Sequence, residues 1–197
     1  MELLLIRHAR PHHIVDPSGA DPALDPDGQE QAQLLAKALR GGRHGEIHRL
    51  VSSPMRRARQ TAEFVRSTLS LPVEFDDRIA ELDRGWTTYG VNLDAYPTRS
   101  LLFHDMNSGR LGENTFDPDA FRERAVAGVE DIVTAADDDS RVAVVCHGGV
   151  INAYLAHILG TDRLFFTFPT YTSVTRVHAH GDELRELLSV NEADHLR

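Results

Sequence analysis

The sequence predicts an α/β fold, a three-layer α/β/α sandwich around a mainly parallel central sheet. Residues 3–6 and 142–146 are short continuous apolar runs, the pattern of strands buried on both faces. Between and after them, segments with helical apolar stripes alternate with short strand-like runs. That alternation yields parallel strands with helices packed on both sides.

Residues 11–25 contain Pro11, Pro17, Gly19 and Pro22 without periodicity and read as loop. A helix is expected near Pro26, with Asp25 as N-cap and proline at the first helical position. Ala32, Leu35, Ala36 and Leu39 give it one apolar stripe, and Gly41-Gly42 stops it. A strand around Leu50 and Val51 leads into Ser52-Ser53-Pro54. There Ser53 and Pro54 repeat the cap-plus-proline signal, and Ala58, Ala62, Val65 and Leu69 carry the helical face. Residues 72–75 read as a further short strand.

Residues 83–116 have weak periodicity and several glycines. They read as a long excursion with room for one short helix, and such excursions serve as lids or binding loops. The expected organisation is one domain over residues 1–197 with a specificity cap inserted at about 83–116. Asp117-Pro118 opens another helix, marked by Phe121, Ala125, Val129, Ile132 and Ala136. After residues 142–146 comes His147-Gly148-Gly149, then a helix marked by Val150, Ile151, Tyr154, Leu155 and Ile158. Two closing strands, about 172–179 and 183–190, turn at His180-Gly181-Asp182 and are expected antiparallel at the sheet edge.

With 197 residues, 41% hydrophobic, the chain can bury a sizeable core. Its net charge of -9 argues against general nucleic-acid binding, which needs a basic face. An anionic ligand must therefore be drawn in by a local basic pocket, which makes clustered arginines informative. No run approaches the roughly 20 apolar residues that span a bilayer, and the run at 3–6 is too short for a signal sequence. The expectation is a cytoplasmic protein with no membrane or nucleic-acid partner. Cys146 stands alone and can form no internal disulfide; its apolar neighbours point to a core thiol.

The chemistry gathers where the buried strands end. One delivers Arg7-His8 and the other His147-Gly148-Gly149. Ligand sites in open parallel sheets form just beyond the carboxyl ends of the strands, so the two histidines are placed to converge. Arg57 falls in the first turn of a helix that also follows a strand end, where free N–H groups and the helix dipole suit a phosphate. The guanidinium forks of Arg7 and Arg57 match phosphate oxygens, and together these groups outline an anion pocket.

Four motifs sharpen this outline. They are Leu5-Ile6-Arg7-His8, the run from Ser52-Ser53-Pro54 through Arg56-Arg57-Ala58 to Thr61-Ala62, Glu81 ahead of Gly85-Trp86, and Val145-Cys146-His147-Gly148-Gly149. In this order they resemble the histidine phosphatase superfamily, which includes cofactor-dependent phosphoglycerate mutases and many small phosphatases. The resemblance implies a phosphoglycerate mutase-like fold in which His8 attacks phosphorus to form a phosphohistidine that water then cleaves. It implies that Arg7, Arg57 and His147 hold the phosphoryl oxygens and that Glu81 is the proton donor. One branch of the family has Asp directly after the second histidine. Gly148 stands there, which leaves the proton to Glu81; Asp83 and Glu113 are the alternative carboxylates. The implied substrate is a small-molecule phosphate ester, with no cofactor and no metal, since the guanidinium groups supply the positive charge. A homodimer is compatible with the sequence.

The chain also departs from the family pattern. Ala9 follows the nucleophile position where glycine is usual, and a positive φ there would make the methyl costly. Arg10 replaces a usual Glu or Gln and is placed either to widen the basic pocket or to face solvent. Ile14 stands where mutase-like members have Asn, and Thr87-Thr88 replaces Glu-Gly after Trp86. These changes favour a phosphatase over a phosphoglycerate mutase-type phosphotransferase. A reading of another class, an inactive phosphate-binding pseudoenzyme, is disfavoured by the intact His8, Glu81 and His147. His12-His13 lacks the companion ligands of a metal site and reads as exposed loop.

Overall fold

The computed structural model describes residues 1–90, 96–181 and 184–197. The chain runs β1 (Glu2–Arg7), β2 (Ile14–Val15), α1 (Pro26–Arg40), β3 (Arg49–Ser52), α2 (Arg56–Leu69), β4 (Val73–Phe75) and β5 (Thr88–Tyr89). It continues through α3 (Arg99–Asn107), β6 (Arg110–Leu111), β7 (Asn114–Thr115), α4 (Pro118–Thr134), β8 (Arg141–Cys146), α5 (Gly148–Ile158), β9 (Val174–His180) and β10 (Leu184–Glu192). The main sheet has the order β10-β9-β1-β8-β3-β4. Its β1, β8, β3 and β4 are mutually parallel, and β9 and β10 are antiparallel at one edge.

The two apolar runs are neighbours at the centre of this sheet. Leu3, Leu5, Val142 and Val144 face one buried layer with α4 and α5. Leu4, Ile6, Ala143 and Val145 face the other, packed on α1 and α2. Continuous hydrophobicity is thus explained: each strand is covered on both faces.

Local signals set most boundaries. Asp25 accepts a hydrogen bond from Gly28 N at 2.7 Å, with Pro26 opening α1. Asp117 accepts from the amides of Asp119 and Ala120 at 3.0 Å, with Pro118 opening α4. The expected start of α2 at Ser53-Pro54 is corrected: the helix begins at Arg56, and Ser53 is not its cap. Asp21, from the loop before α1, instead accepts from Arg56 N at 2.9 and 3.1 Å. That loop also holds the two-residue β2, which pairs with β5 and ties residues 14–15 to 88–89. The excursion at 83–116 contains α3, the short hairpin of β6 and β7, and β5. Asp182, in the expected closing turn, lies outside the described residues, as do residues 91–95 of the expected cap.

Candidate active site

Strand register brings the two histidines together. Arg7 pairs with Cys146, and His8 N donates to Cys146 O at 2.9 Å, so His8 and His147 leave the sheet side by side. Their ring centroids are 5.0 Å apart. On the other side of β8, the strand β3 ends at Ser52, and Ser53 N donates to Val145 O. From there α2 carries Arg57 back over His8. The sheet thus converges His8, His147 and Arg57, and Arg7 flanks them on β1. The expected pocket of arginines and histidines is assembled.

His8 is 2% exposed, and its Nδ1 lies 2.8 Å from the carbonyl oxygen of Ala9. A carbonyl only accepts, so Nδ1 carries the hydrogen and Nε2 keeps its lone pair. Arg57 Nε donates to that Nε2 at 3.3 Å. Burial first, and then the charges of Arg57 and Arg7, hold the imidazole well below its ordinary pKa. His8 is therefore neutral, with its unprotonated nitrogen turned toward the arginine.

Arg57 is fully buried and gives Nη2 to Asp83 at 2.7 Å. Burial opposes its charge, but Asp83, Tyr89 and Glu81 outweigh it and raise the pKa. Its guanidinium lies 4.6 Å over the ring of Tyr89. Arg7 donates Nη1 to Pro169 O at 2.5 Å and lies 3.9 Å over Tyr171. After these bonds, Arg57 Nη1 and Arg7 Nε are buried without a partner among the described residues. Unmet buried donors are uncommon, and these two belong to residues that line the cavity over His8. His147 Nε2 is 2.8 Å from Ser53 Oγ, while its Nδ1 is buried without a partner among the described residues. Burial, then Arg57, His8 and Arg7, push its pKa well down.

Glu81 faces the same cavity. Its Oε2 accepts from Gly149 N at 2.7 Å and its Oε1 from Leu82 N at 3.0 Å. Burial first, and then Asp83, raise its pKa, against the lowering pull of those amides and of Arg57. A Cβ at Gly149 would stand 2.1 Å from Glu81 Oε1, so glycine is what lets the carboxylate approach. At Gly148 the nearest atom would be Arg7 Nε at 3.8 Å. Of the alternative carboxylates, Asp83 is at the site but engaged with Arg57, and Glu113 is exposed and does not line the cavity.

Ala9 is absorbed without strain. It does not have positive φ, its side chain packs with Leu24 and Ala32, and its amide donates to Thr61 Oγ1 at 2.9 Å. Arg10 does not widen the pocket; it pairs with Asp25 at 2.6 Å and with Asp27 at the start of α1. His12 and His13 are exposed, and His13 Nε2 meets Gly90 O at 2.8 Å.

Sequence reasoning passed over several residues that shape the site. Tyr89 is brought in by the β2–β5 pairing, and the hydroxyls of Tyr89 and Tyr171 are 3.5 Å apart. Tyr171 is turned into place by Thr172, a buried residue at φ 60 whose amide donates to Arg7 O at 3.0 Å. A β-branched residue in that region costs about 1–3 kcal/mol, which its surroundings must sustain. Asn152 on α5 uses both ends of its amide, donating to Gly148 O and Thr167 O and accepting from Phe166 N and Thr167 N. It fixes the loop that walls the cavity. No motif marks these residues; only Ser53 lay inside one.

Comparison with known proteins now decides the family. The sequence model of the histidine phosphatase superfamily (branch 1) matches residues 3–192. The chain belongs to that superfamily. It is thus a hydrolase of the phosphatase kind. A protein of Hydrogenobacter thermophilus named "Putative phosphoserine phosphatase 2" is 23% identical over 209 residues, covering 99% of this chain and 97% of its own. The mycobacterial glucosyl-3-phosphoglycerate phosphatase, solved with inorganic phosphate, has a TM-score of 0.76 at 23% identity, covering 100% of this chain and 99% of its own. The phosphoserine phosphatase of Entamoeba histolytica, solved with 3-phosphoglyceric acid, has a TM-score of 0.76 at 19% identity over the same shares. These structural likenesses establish the phosphoglycerate mutase-like fold. Among the described residues no helix is long and apolar enough to cross a membrane.

Proposed function

We propose that this protein hydrolyses a small phosphorylated metabolite through a phosphohistidine on His8. The observation that carries the reading is the unspent chemistry over one neutral imidazole. His8 Nε2 carries no hydrogen and accepts only the long 3.3 Å bond from Arg57 Nε, and the buried Arg57 Nη1 and Arg7 Nε have no partner among the described residues. A phosphoryl oxygen would supply what those donors lack, and the nucleophile already stands beside them.

In the first step His8 Nε2 attacks phosphorus and the ester P–O bond breaks. Arg57, Arg7 and His147 stabilise the charge on the phosphoryl oxygens. Because the arginines are fixed before the reaction, little reorganisation is needed in the transition state. Glu81, whose burial favours the protonated form, gives its proton to the leaving oxygen. In the second step Glu81 accepts a proton from water as the water oxygen bonds to phosphorus and the P–Nε2 bond breaks. Phosphate departs and both residues return to their starting states. Asp83 and Ser53 act through others, by holding Arg57 and His147. The positive charge comes from guanidinium groups, so no metal is assigned a role.

Steady-state hydrolysis of aryl and alkyl phosphate esters tests this reading. The expected result is turnover that survives a chelator and falls about 10⁴-fold or more in His8→Ala. Undiminished hydrolysis by the folded His8→Ala protein would refute it.

A further inference from the structure

Beyond the phosphate-binding end, the cavity of about 480 Å³ changes character. Its wall is built from Leu82, Trp86, Met106, Leu111, Phe165 and Phe168. The aromatic members are part of a packed series: Trp86 stands 6.5 Å from Phe116, Phe116 6.0 Å from Phe165, and Phe168 4.7 Å from Phe103.

Several polar groups along the wall are committed, while the hydroxyls of Thr88, Thr167 and Thr170 also line the cavity. Glu81 and Asp83 are engaged with Gly149, Leu82 and Arg57, and Asn152 has both amide ends occupied. Among the described lining residues, no uncommitted carboxylate faces a substrate ammonium group. One cation remains at the mouth. Arg99, in the first turn of α3, is exposed, has no ion-pair partner among the described residues, and lies 5.1 Å over the Phe168 ring.

We propose that the leaving group of the natural ester has an apolar body, aromatic or branched, and ends in a carboxylate that pairs with Arg99. The proposal rests on the phosphatase reading and adds the substrate class to it. An apolar body would displace water from Trp86, Phe165 and Phe168, and its carboxylate would meet the bidentate fork of Arg99. An amino-acid leaving group would instead bring an ammonium group that meets no uncommitted carboxylate among the described lining residues.

The test compares kcat/KM for three alkyl esters, so that an activated aryl leaving group does not decide the outcome. They are 4-(2-phosphonooxyethyl)benzoate, 2-phenylethyl phosphate and phosphoserine. The expected order is the benzoate first, the phenylethyl ester next, and phosphoserine about tenfold or more below both. Arg99→Gln should bring the benzoate down to the phenylethyl ester, and Phe168→Ala should narrow the gap between the phenylethyl ester and phosphoserine. Phosphoserine turned over as well as the aromatic esters, or a benzoate advantage unchanged in Arg99→Gln, would overturn the proposal while leaving the phosphatase reading intact. No turnover of any ester, with no phosphate bound to His8, would overturn both.

Discussion

At the floor of the cavity, His8, Arg7, Arg57, His147 and Glu81 are each fixed by a hydrogen bond to a backbone or buried partner, and Arg57 Nη1, Arg7 Nε and His147 Nδ1 are buried without a partner among the described residues. The wall a few ångströms away is apolar and held by packing, with a single cation at its rim. The floor comes from the ends of β1 and β8, the first turn of α2 and Glu81 in the loop after the turn 77–79. The wall comes from Leu82, Trp86, Met106 and Leu111 and from the loop 165–171, which lie outside the parallel strands. The difference separates chemistry from selection. Changes on the floor should alter the rate for every ester, and changes on the wall should alter which ester is preferred.

The largest expected effect on this division, after loss of the nucleophile, is at Glu81. Glu81→Gln should lower kcat/KM for alkyl esters by about 10²–10³-fold and for 4-nitrophenyl phosphate far less, because a good leaving group needs little protonation. The pH profile supplies the sign. Burial raises the Glu81 pKa, so wild-type kcat/KM should fall as pH rises through that value, and this alkaline limb should vanish in the Gln variant. An equal loss on both ester types would remove Glu81 from the role of acid.

The two adjacent glycines give a sharper contrast. Gly149→Ala places a methyl against Glu81 Oε1 and should cost about 10²-fold on alkyl esters. Gly148→Ala meets nothing closer than 3.8 Å and should stay within about threefold of wild type. Equal effects at the two positions would mean that the carboxylate is not held by the close approach at Gly149.

How much of this was legible in the sequence follows the same boundary. The central strands were readable because burial on both faces leaves a continuous apolar run, and α1 and α4 because Asp25 and Asp117 cap them locally. The start of α2 was misplaced because its cap, Asp21, is 35 residues away in sequence, while Ser53 is drawn to His147. Arg7, His8 and His147 sit at strand ends and Arg57 in the first turn of α2, places that the apolar runs and the helix signals mark in the sequence. Tyr89, Tyr171 and Arg99 reach the site through the β2–β5 pairing, the turn at Thr172 and the first turn of α3, none of which leaves a periodic trace.

A smaller effect is expected at Asp83, which supports the floor without facing the reaction. Asp83→Asn removes the counter-charge of the fully buried Arg57 and should destabilise the protein by about 2–3 kcal/mol, lowering Tm by roughly 6–10 °C. Inorganic phosphate should raise Tm more in the variant than in wild type, since the anion replaces the lost charge. Equal stabilisation by phosphate in both proteins would show that Arg57 does not meet the anion.

The claim on which all of this depends is that His8 carries the phosphoryl group. Rapid acid-free quenching of the enzyme during turnover of a ³²P-labelled ester, followed by peptide mapping, tests it directly. The account predicts an acid-labile, base-stable label on the peptide containing His8, absent in His8→Ala. Rapid turnover with label on another residue would contradict it.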